Sequence, residues 1–321
     1  MGVFVLLPLL LPLSALPIAR LAERHLHPRV ATRLLSALAA VLSLCSTVCL
    51  GLLVFVGTVQ LPGHPLPDAW ADRETPTTPY EEAAGKGAVV ALLAVAVAWS
   101  TAVRRHMRVR RQAEHALTGV PGGELAVLTD EAAYAYALPG ARSRASRDGG
   151  GGGVQGGRIV VSTAMLACLD AGERAALVAH ERAHLAGRHH RYLLVVRFAA
   201  RANPLLMPLR SAVAYTTERW ADEEAARVTG ERRVVARAIG KAALVSRGTP
   251  TPTLAGFAAP GPVPRRVAAL LAPAPAPVGW PPVFTAVGLA AWAAAAGTLG
   301  SALSSANATV TLFLLLKAGP L

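Results

Sequence analysis

Four long stretches without a charged residue constrain the fold of this chain more than any other feature. They run over residues 2–18, 34–59, 87–103 and 281–316. A helix of about 20 apolar residues crosses the roughly 30 Å hydrocarbon core of a bilayer. The hydrophobic fraction of 53% and the mean hydropathy of +0.42 are also too high for an ordinary soluble protein. We therefore predict a mainly α-helical, polytopic membrane protein with about four transmembrane helices in the lipid bilayer.

The first and the last of these stretches each leave an alternative. Pro8, Pro12 and Pro17 would kink a helix over residues 2–18. A cleaved signal peptide is the rival interpretation there, although the stretch lacks a basic start. Residues 281–316 exceed one perpendicular span, so that a tilted long helix and a broken helix both fit. We count one span in each stretch.

Arginine residues orient the predicted spans. They cluster after the first and the third stretch, at Arg20, Arg24, Arg29 and Arg33 and at Arg104, Arg105, Arg108, Arg110 and Arg111. Because Lys and Arg accumulate in cytoplasmic loops, we expect a plasma-membrane protein with its N-terminus outside and residues 104–280 in the cytoplasm. Arginines that flank a membrane then explain much of the net charge of +13, and we expect no direct nucleic-acid partner.

The sequence divides into three predicted units. They are a membrane region of residues 1–103, a cytoplasmic domain of residues 104–272, and a linker with the C-terminal span over residues 273–321. Within the domain, residues 125–129 and 158–162 have the composition of short strands. We predict that they form a hairpin-like pair, separated by residues 135–140 and by the glycine-rich residues 149–157.

The segment His180-Glu181-Arg182-Ala183-His184 can bind a metal ion. We predict one helix over residues 171–192, which contain no proline. In such a helix His180 and His184 lie about 40° apart around the axis, on one face. Zinc suits two imidazoles with a third ligand and an open position for water, and Glu181 can reach that water as a general base. The alternative is a solvated or membrane-edge helix rich in His and Arg, since the pattern also occurs without metal.

Two carboxylates further along the chain favour zinc. In Glu218-Arg-Trp-Ala-Asp222, 34 residues after His184, Glu218 can supply the third ligand. Asp222 comes one helical turn later and can accept a hydrogen bond from a ligating imidazole, which fixes the tautomer of that ring. A surface acidic cluster with Glu223 and Glu224 is the alternative.

The order of four segments is similar to that of a known family. The segments are Ala135-Tyr-Ala-Leu-Pro-Gly140, Gly157-Arg-Ile-Val-Val-Ser-Thr163, Glu173-Arg-Ala-Ala-Leu-Val-Ala-His-Glu-Arg-Ala-His184 and Glu218-Arg-Trp-Ala-Asp222. Over roughly residues 120–270 the chain resembles the BlaR1/MecR1-type membrane peptidases of peptidase family M56, which are related to the HtpX-like and CAAX-prenyl peptidases of family M48.

This resemblance implies a cytoplasmic gluzincin-type zinc peptidase domain that carries a small β element. It implies one Zn²⁺ held by His180, His184 and Glu218, with Glu181 as catalytic base, Asp222 behind a ligating histidine, and Arg265 or Arg266 as an arginine that helps hold the fold. The implied activity is that of a zinc metalloendopeptidase in a signalling or regulatory role. Its implied protein substrate is a BlaI-like transcriptional repressor or the chain itself.

One alternative concerns the third ligand. Residues 180–190 also match the metzincin pattern HExxHxxGxxH through Gly187, and His190 would then be the third ligand. We favour Glu218, because the metzincin pattern needs a chain reversal at the glycine, whereas residues 188–193 continue a helical pattern. We therefore expect His189 and His190 to flank the site or to face solvent.

Two further alternatives concern the function. A catalytically inactive membrane protein could retain the HExxH helix for signalling or assembly, although the intact His, Glu and Asp set argues against a degenerate site. A transporter or channel is disfavoured, because the predicted spans contain no ionisable residue that would mark a polar pathway.

Overall fold

A computed structural model of the chain describes residues 8–59, 79–140, 157–246, 263–275 and 284–317. In this part of the chain a short 3-10 helix, Leu11–Ser14, precedes ten helices: α1 Ala15–His25, α2 Pro28–Val59, α3 Pro79–Ala116, α4 Thr163–Ala167, α5 Ala171–Ala186, α6 His189–Ala202, α7 Met207–Thr229, α8 Arg232–Val245, α9 Val263–Leu271 and α10 Ala286–Lys317. A second 3-10 helix, Pro204–Leu206, joins α6 to α7. Residues 2–7 of the predicted first span and residues 149–156 of the glycine-rich segment lie outside the described residues.

Three of the helices are long and apolar enough to cross a membrane. They are α2, α3 and α10, with candidate spans Pro28–Phe55, Ala83–Ala116 and Val287–Thr311. α2 and α3 contain the second and third predicted stretches, and α10 contains residues 286–316 of the fourth. This part of the C-terminal stretch is one continuous helix, because α10 extends unbroken from Ala286 to Lys317. The described part of the first stretch holds the 3-10 helix and the start of α1, and it is not among the three candidate spans.

Three short strands form a mixed sheet, which corrects the predicted hairpin-like pair. The strands are β1 Leu125–Leu128, β2 Ala135–Leu138 and β3 Arg158–Ser162, in the spatial order β1-β3-β2. β1 and β3 run parallel, with Leu125 opposite Ile159, so they cannot be the two arms of a hairpin. β2 occupies the segment that we predicted as a separator, and it pairs antiparallel with β3.

Helix α5 carries the HExxH segment and is shorter than predicted. It begins with a capping box, in which Asp170 accepts a hydrogen bond from the Glu173 backbone amide and the Glu173 side chain bonds back to the Asp170 amide. It ends at Ala186, and Arg188 takes the left-handed conformation, with φ 51° and ψ 42°. The predicted single helix over residues 171–192 is therefore wrong, because the chain turns at positions 187 and 188 and α6 starts afresh.

The helices that flank the HExxH segment share one apolar core with the membrane-type helix α2. Leu35 and Leu42 of α2 pack with Val196 of α6 and with Leu209 and Val213 of α7. Two buried polar contacts join the same helices. The Asn203 amide donates to Ser46 Oγ at 3.1 Å, and the Thr32 hydroxyl donates to that of Thr216 at 2.9 Å. Thr216 lies two residues before Glu218, so this contact fixes α7 against α2 close to the ligand-bearing position.

Gly157 allows the sheet to pack against α5, and its replacement is expected to destabilise the protein. Its φ is +102°, and a Cβ there would lie 2.6 Å from the Leu138 carbonyl oxygen and 3.0 Å from a methyl carbon of Leu185. We expect Gly157→Ala to lower the free energy of unfolding by about 1 kcal/mol through backbone strain and by about 1–3 kcal/mol more through overpacking. Thermal unfolding in detergent measures the change.

Gly119→Ala is the matched control. Gly119 also has a positive φ, +84°, but a Cβ there would meet no atom within 4 Å. Gly119→Ala should lower the free energy of unfolding through backbone strain alone, by about 1 kcal/mol. Equal melting temperatures for the two variants would contradict the packing role of Gly157.

Candidate metal centre

Three side chains from two helices converge on one point. Helix α5 supplies His180 and His184, whose Nε2 atoms are 3.1 Å apart. Helix α7 supplies Glu218, whose carboxylate oxygens lie 3.5 Å from each of those Nε2 atoms. All three residues are buried, with relative exposures of 8%, 9% and 4%. The structure thus brings the three predicted ligands together. Among the described residues, these three side chains form a group whose ligand atoms are close enough to hold one metal ion.

The spacing of the three groups fits a zinc ion. Zinc bonds to nitrogen and oxygen measure about 2.0–2.1 Å, so tetrahedral ligand atoms lie roughly 3.4 Å from one another. The observed separations of 3.1 and 3.5 Å are close to that value. Glu218 Oε1 is also buried without a hydrogen-bond partner among the described residues. A buried carboxylate oxygen without a donor is costly, and a cation between the three groups would satisfy it.

Arg266 of α9 holds the two carboxylates of α7. Its guanidinium donates to both oxygens of Asp222, at 2.9 and 2.6 Å, and lies 2.8 Å from Glu218 Oε2. All three residues are buried. Oε2 thus lies between Arg266 and His180, and Oε1 faces His184. The sequence left Arg265 and Arg266 open as the arginine that supports the fold. The structure selects Arg266, because Arg265 is exposed and pairs with Glu23.

Asp222, the carboxylate expected behind a ligating histidine, lies behind His180. Asp222 Oδ1 is 3.1 Å from His180 Nδ1, on the side of the ring opposite the ligand atom. The distance suits a hydrogen bond, but the N–H direction at His180 Nδ1 is not aligned with the carboxylate. A small rotation of the imidazole would align the N–H with the carboxylate, and this would fix the tautomer in which Nε2 is free to bind metal.

The charge balance of the site favours a cation at its centre. Burial lowers the pKa of His180, but Asp222 and Glu218 outweigh burial and raise it to about 10. Burial dominates at His184 and lowers its pKa to about 4. At Glu218, burial is outweighed by Arg266 and the two histidines, which hold the pKa below its usual range. Without metal, the acidic groups therefore keep one positive charge on the imidazole pair, at the place where a dication would bind.

Glu181 borders the same site and has the properties of a proton acceptor near neutral pH. Burial raises its pKa to about 7, and the charge of His180 only partly offsets the effect of burial. It lines a cavity of about 580 Å³ together with His180, His184 and Glu218. A base with a pKa near the working pH is favourable for general acid–base catalysis.

Strand β2 and helix α3 are among the elements that form the walls of this cavity. Strand β2, at the edge of the sheet, contributes Tyr136 and Leu138, and α3 contributes His106 and Arg110. The uncharged stretch of α3 ends at residue 103. At 1.5 Å rise per residue, His106 and Arg110 follow it by roughly 5–10 Å along the helix. The metal ligands therefore face a cavity just beyond the uncharged stretch of α3, within the candidate membrane span Ala83–Ala116.

The two histidines that follow α5 differ from each other. His190 lines the cavity but does not belong to the group of three metal-binding side chains. His189 is 1% exposed and contacts His184, so of the two expected positions it has the one that flanks the site and not the one that faces solvent. Gly187 is the sequence signal that could have predicted the turn that places His189 against His184, since a glycine late in a helix is a typical helix end.

Replacement of a ligand is expected to remove the metal. We expect purified wild-type protein to carry about one zinc ion per chain, and Glu218→Gln to lose it, because the amide is a weaker ligand without charge. Elemental analysis of detergent-purified protein measures the content. His190→Ala is the control and should retain zinc, since His190 is outside the ligand group. Zinc loss in His190→Ala with retention in Glu218→Gln would support the metzincin assignment instead.

Removal of Arg266 is expected to destabilise the protein strongly. Arg266→Met leaves Glu218 and Asp222 buried without their cation, and loss of one partner of a buried ion pair costs about 3–5 kcal/mol. Chemical unfolding of the protein in detergent reports this loss. Arg265→Met is the neighbouring control and should cost about 1 kcal/mol or less, because its contact with Glu23 is at the surface. Similar losses in the two variants would contradict the role of Arg266.

Comparison with known proteins agrees with the geometry of the site. The model of one protein family, peptidase family M48, matches residues 99–274, which is more than half of the chain and includes every residue of the metal centre. No curated protein and no solved structure matches the chain. M48 peptidases are typically zinc-dependent metallopeptidases. The finer resemblance to family M56 is not tested by this match and stays a prediction. The matched region and the three convergent ligands lead to one conclusion: the chain belongs to peptidase family M48.

Proposed function

We propose that this protein is a membrane zinc metalloendopeptidase that cleaves a protein substrate beside the bilayer. The observation that carries the proposal is the arrangement of His180, His184, Glu218 and Glu181 in one cavity, bordered by an edge strand. Metal-assisted hydrolysis requires neutral or acidic metal ligands and an adjacent general base, and the site has three such ligands beside a buried carboxylate. The match to family M48 supports the same class of reaction.

The residues of the site have distinct roles in the proposed reaction. Zinc, when bound by His180, His184 and Glu218, would supply Lewis acidity towards water and a carbonyl oxygen. The Glu181 carboxylate accepts a proton from the attacking water and passes it to the leaving amine. Its pKa of about 7 suits both transfers. Burial of the site excludes bulk water, which strengthens the electrostatic interactions inside it.

The shape of the cavity supports a peptide substrate. Strand β2 lies at the edge of the sheet, so its outer backbone groups have no strand partner among the described residues. An extended peptide can add to such an edge through backbone hydrogen bonds. The adjoining wall is apolar, with Leu177, Leu185, Leu193 and Ile239, which suits a substrate with apolar side chains.

The substrate and the regulatory role follow from the M56 resemblance and are part of this proposal. A BlaI-like transcriptional repressor, or the chain itself, would be cleaved at a site that opens beside α3. The predicted orientation, with the N-terminus outside and residues 104–280 in the cytoplasm, supports a cytoplasmic substrate. The inactive alternative, a membrane signalling or assembly protein, predicts zinc binding without hydrolysis.

Glu181→Gln is expected to abolish hydrolysis and to keep zinc. Loss of a general base typically lowers the rate about 10²–10⁴-fold, whereas Glu181 is not among the metal-binding side chains. Full-length protein in detergent would be incubated with β-casein, with a purified BlaI-like repressor and alone, and new chain termini would be identified by mass spectrometry. A chelator should stop cleavage by the wild type.

A surface carboxylate on helix α7, Glu224, provides the control for Glu181 of α5. Glu224 pairs with Arg227 at the surface, and Glu224→Gln should cleave at the wild-type rate. Cleavage by Glu181→Gln at the wild-type rate would contradict the proposed base. Zinc-loaded wild-type protein that cleaves none of the three substrates would favour the inactive alternative.

A further inference from the structure

The turn between α5 and α6 has an unusual local structure. Arg188 is the non-glycine residue with a positive φ among the described residues, a conformation that costs about 1–2 kcal/mol for an L-residue. Gly187 precedes it, and a Cβ at Gly187 would overlap the His189 ring, with 2.6 Å to the ring carbon Cδ2. Such strain persists where the surrounding contacts stabilise it. The turn thus folds His189 back towards the last turns of α5.

The folded-back histidine lies directly behind a predicted zinc ligand. His189 Nδ1 is 2.9 Å from His184 Nδ1, and the two rings are 4.8 Å apart and nearly perpendicular. The other nitrogen of His184, Nε2, faces His180 and Glu218. His184 therefore presents one nitrogen to the metal centre and the other to His189.

The chemistry of imidazole determines the direction of this hydrogen bond. A neutral imidazole that binds metal through Nε2 carries its proton on Nδ1, and that N–H needs an acceptor. The atom in front of the His184 N–H is His189 Nδ1. His189 accepts there only as the tautomer with its own proton on Nε2. The contact thus favours the tautomer of His184 that binds metal.

Packing holds the His189 ring in place. The centroid of the His189 ring lies 4.4 Å from that of Trp220. Trp220 is in turn covered by the guanidinium groups of Arg29 and Arg33, each 5.5 Å from its ring centroid. Both arginines belong to the first turns of α2. The histidine is therefore fixed between a metal ligand and an aromatic ring that contacts a membrane-type helix.

We propose that His189 is a positioning residue for His184: it accepts the His184 Nδ1 proton and so orients the imidazole that binds zinc. Asp222 has the corresponding place behind His180, so the two ligating rings of α5 are supported by a carboxylate on one and an imidazole on the other. This inference rests on the proposed metal site and adds a residue to it. It does not depend on peptide hydrolysis.

Two substitutions of His189 separate its acceptor from its bulk. Asn places a carbonyl oxygen near the position of Nδ1, whereas Leu fills a similar volume against Trp220 without an acceptor. Loss of such a supporting group typically weakens metal binding about 10–100-fold. We expect His189→Leu to weaken zinc binding by that factor and His189→Asn to restore most of it. Competition with a chelator of known affinity, on metal-stripped full-length protein in detergent, measures the dissociation constant.

Gly187→Ala tests the same contact without change to the imidazole. The added methyl group would push the His189 ring from its place, so this variant should also bind zinc more weakly. Gly172→Ala is the matched control in α5, because a Cβ there meets its nearest atom at an ordinary 3.5 Å. It should bind zinc as the wild type does. Thermal unfolding of each metal-free variant identifies any that fails to fold.

The outcomes distinguish this inference from the proposed function. Equal weakening in His189→Leu and His189→Asn would assign the effect to packing and overturn the positioning role. Wild-type affinity in folded His189→Leu and Gly187→Ala would overturn it as well. A wild-type protein that binds no zinc would remove the proposed function itself.

Discussion

The buried contact of Arg266 with Glu218 and Asp222 is the interaction on which the metal centre depends. Two carboxylates one turn apart on α7 lie in the protein interior, where an uncompensated charge is prohibitively costly. Arg266 compensates them, and its position on α9 draws that helix onto α7. The same contact fixes Glu218 Oε2 beside His180 and leaves Oε1 towards His184. One ion-pair network thus stabilises the packing of two helices and orients a ligand.

The other ligands are supported from different directions. Asp222 lies behind His180, and His189 lies behind His184. These supporting groups come from α7 and from the start of α6, while α2 packs beside both helices. A site that receives its parts from several elements is rigid only when all of them are packed. The capping box of α5 and the close approach at Gly157 therefore contribute to the metal geometry, although neither contact includes a metal ligand.

Local spacing made part of this structure predictable. His180 and His184 share a face because helix geometry alone requires it, and uncharged stretches of sufficient length predicted α2, α3 and α10. The turn at Arg188 has a weaker signature, since Gly187 is its one local signal of a helix end and the His, Arg and Tyr residues that follow are all tolerated in helices. Strand β2 was not predicted, because two of its four residues are alanines and the Pro-Gly that follows it favours a turn. Arg265 and Arg266 point about 100° apart on one helix, so only tertiary packing decides which one meets the carboxylates.

The shared core of α2, α6 and α7 has a consequence for the order in which the protein is made. Leu35 and Leu42 leave the ribosome long before Leu209 and Val213, which pack against them. The membrane segment is therefore a template that already exists when the ligand-bearing helices are synthesised. A fragment without α2 would expose those apolar side chains and lose the Thr32 contact beside Glu218. Assembly of the metal centre therefore depends on a helix that is synthesised well before the ligand-bearing helices.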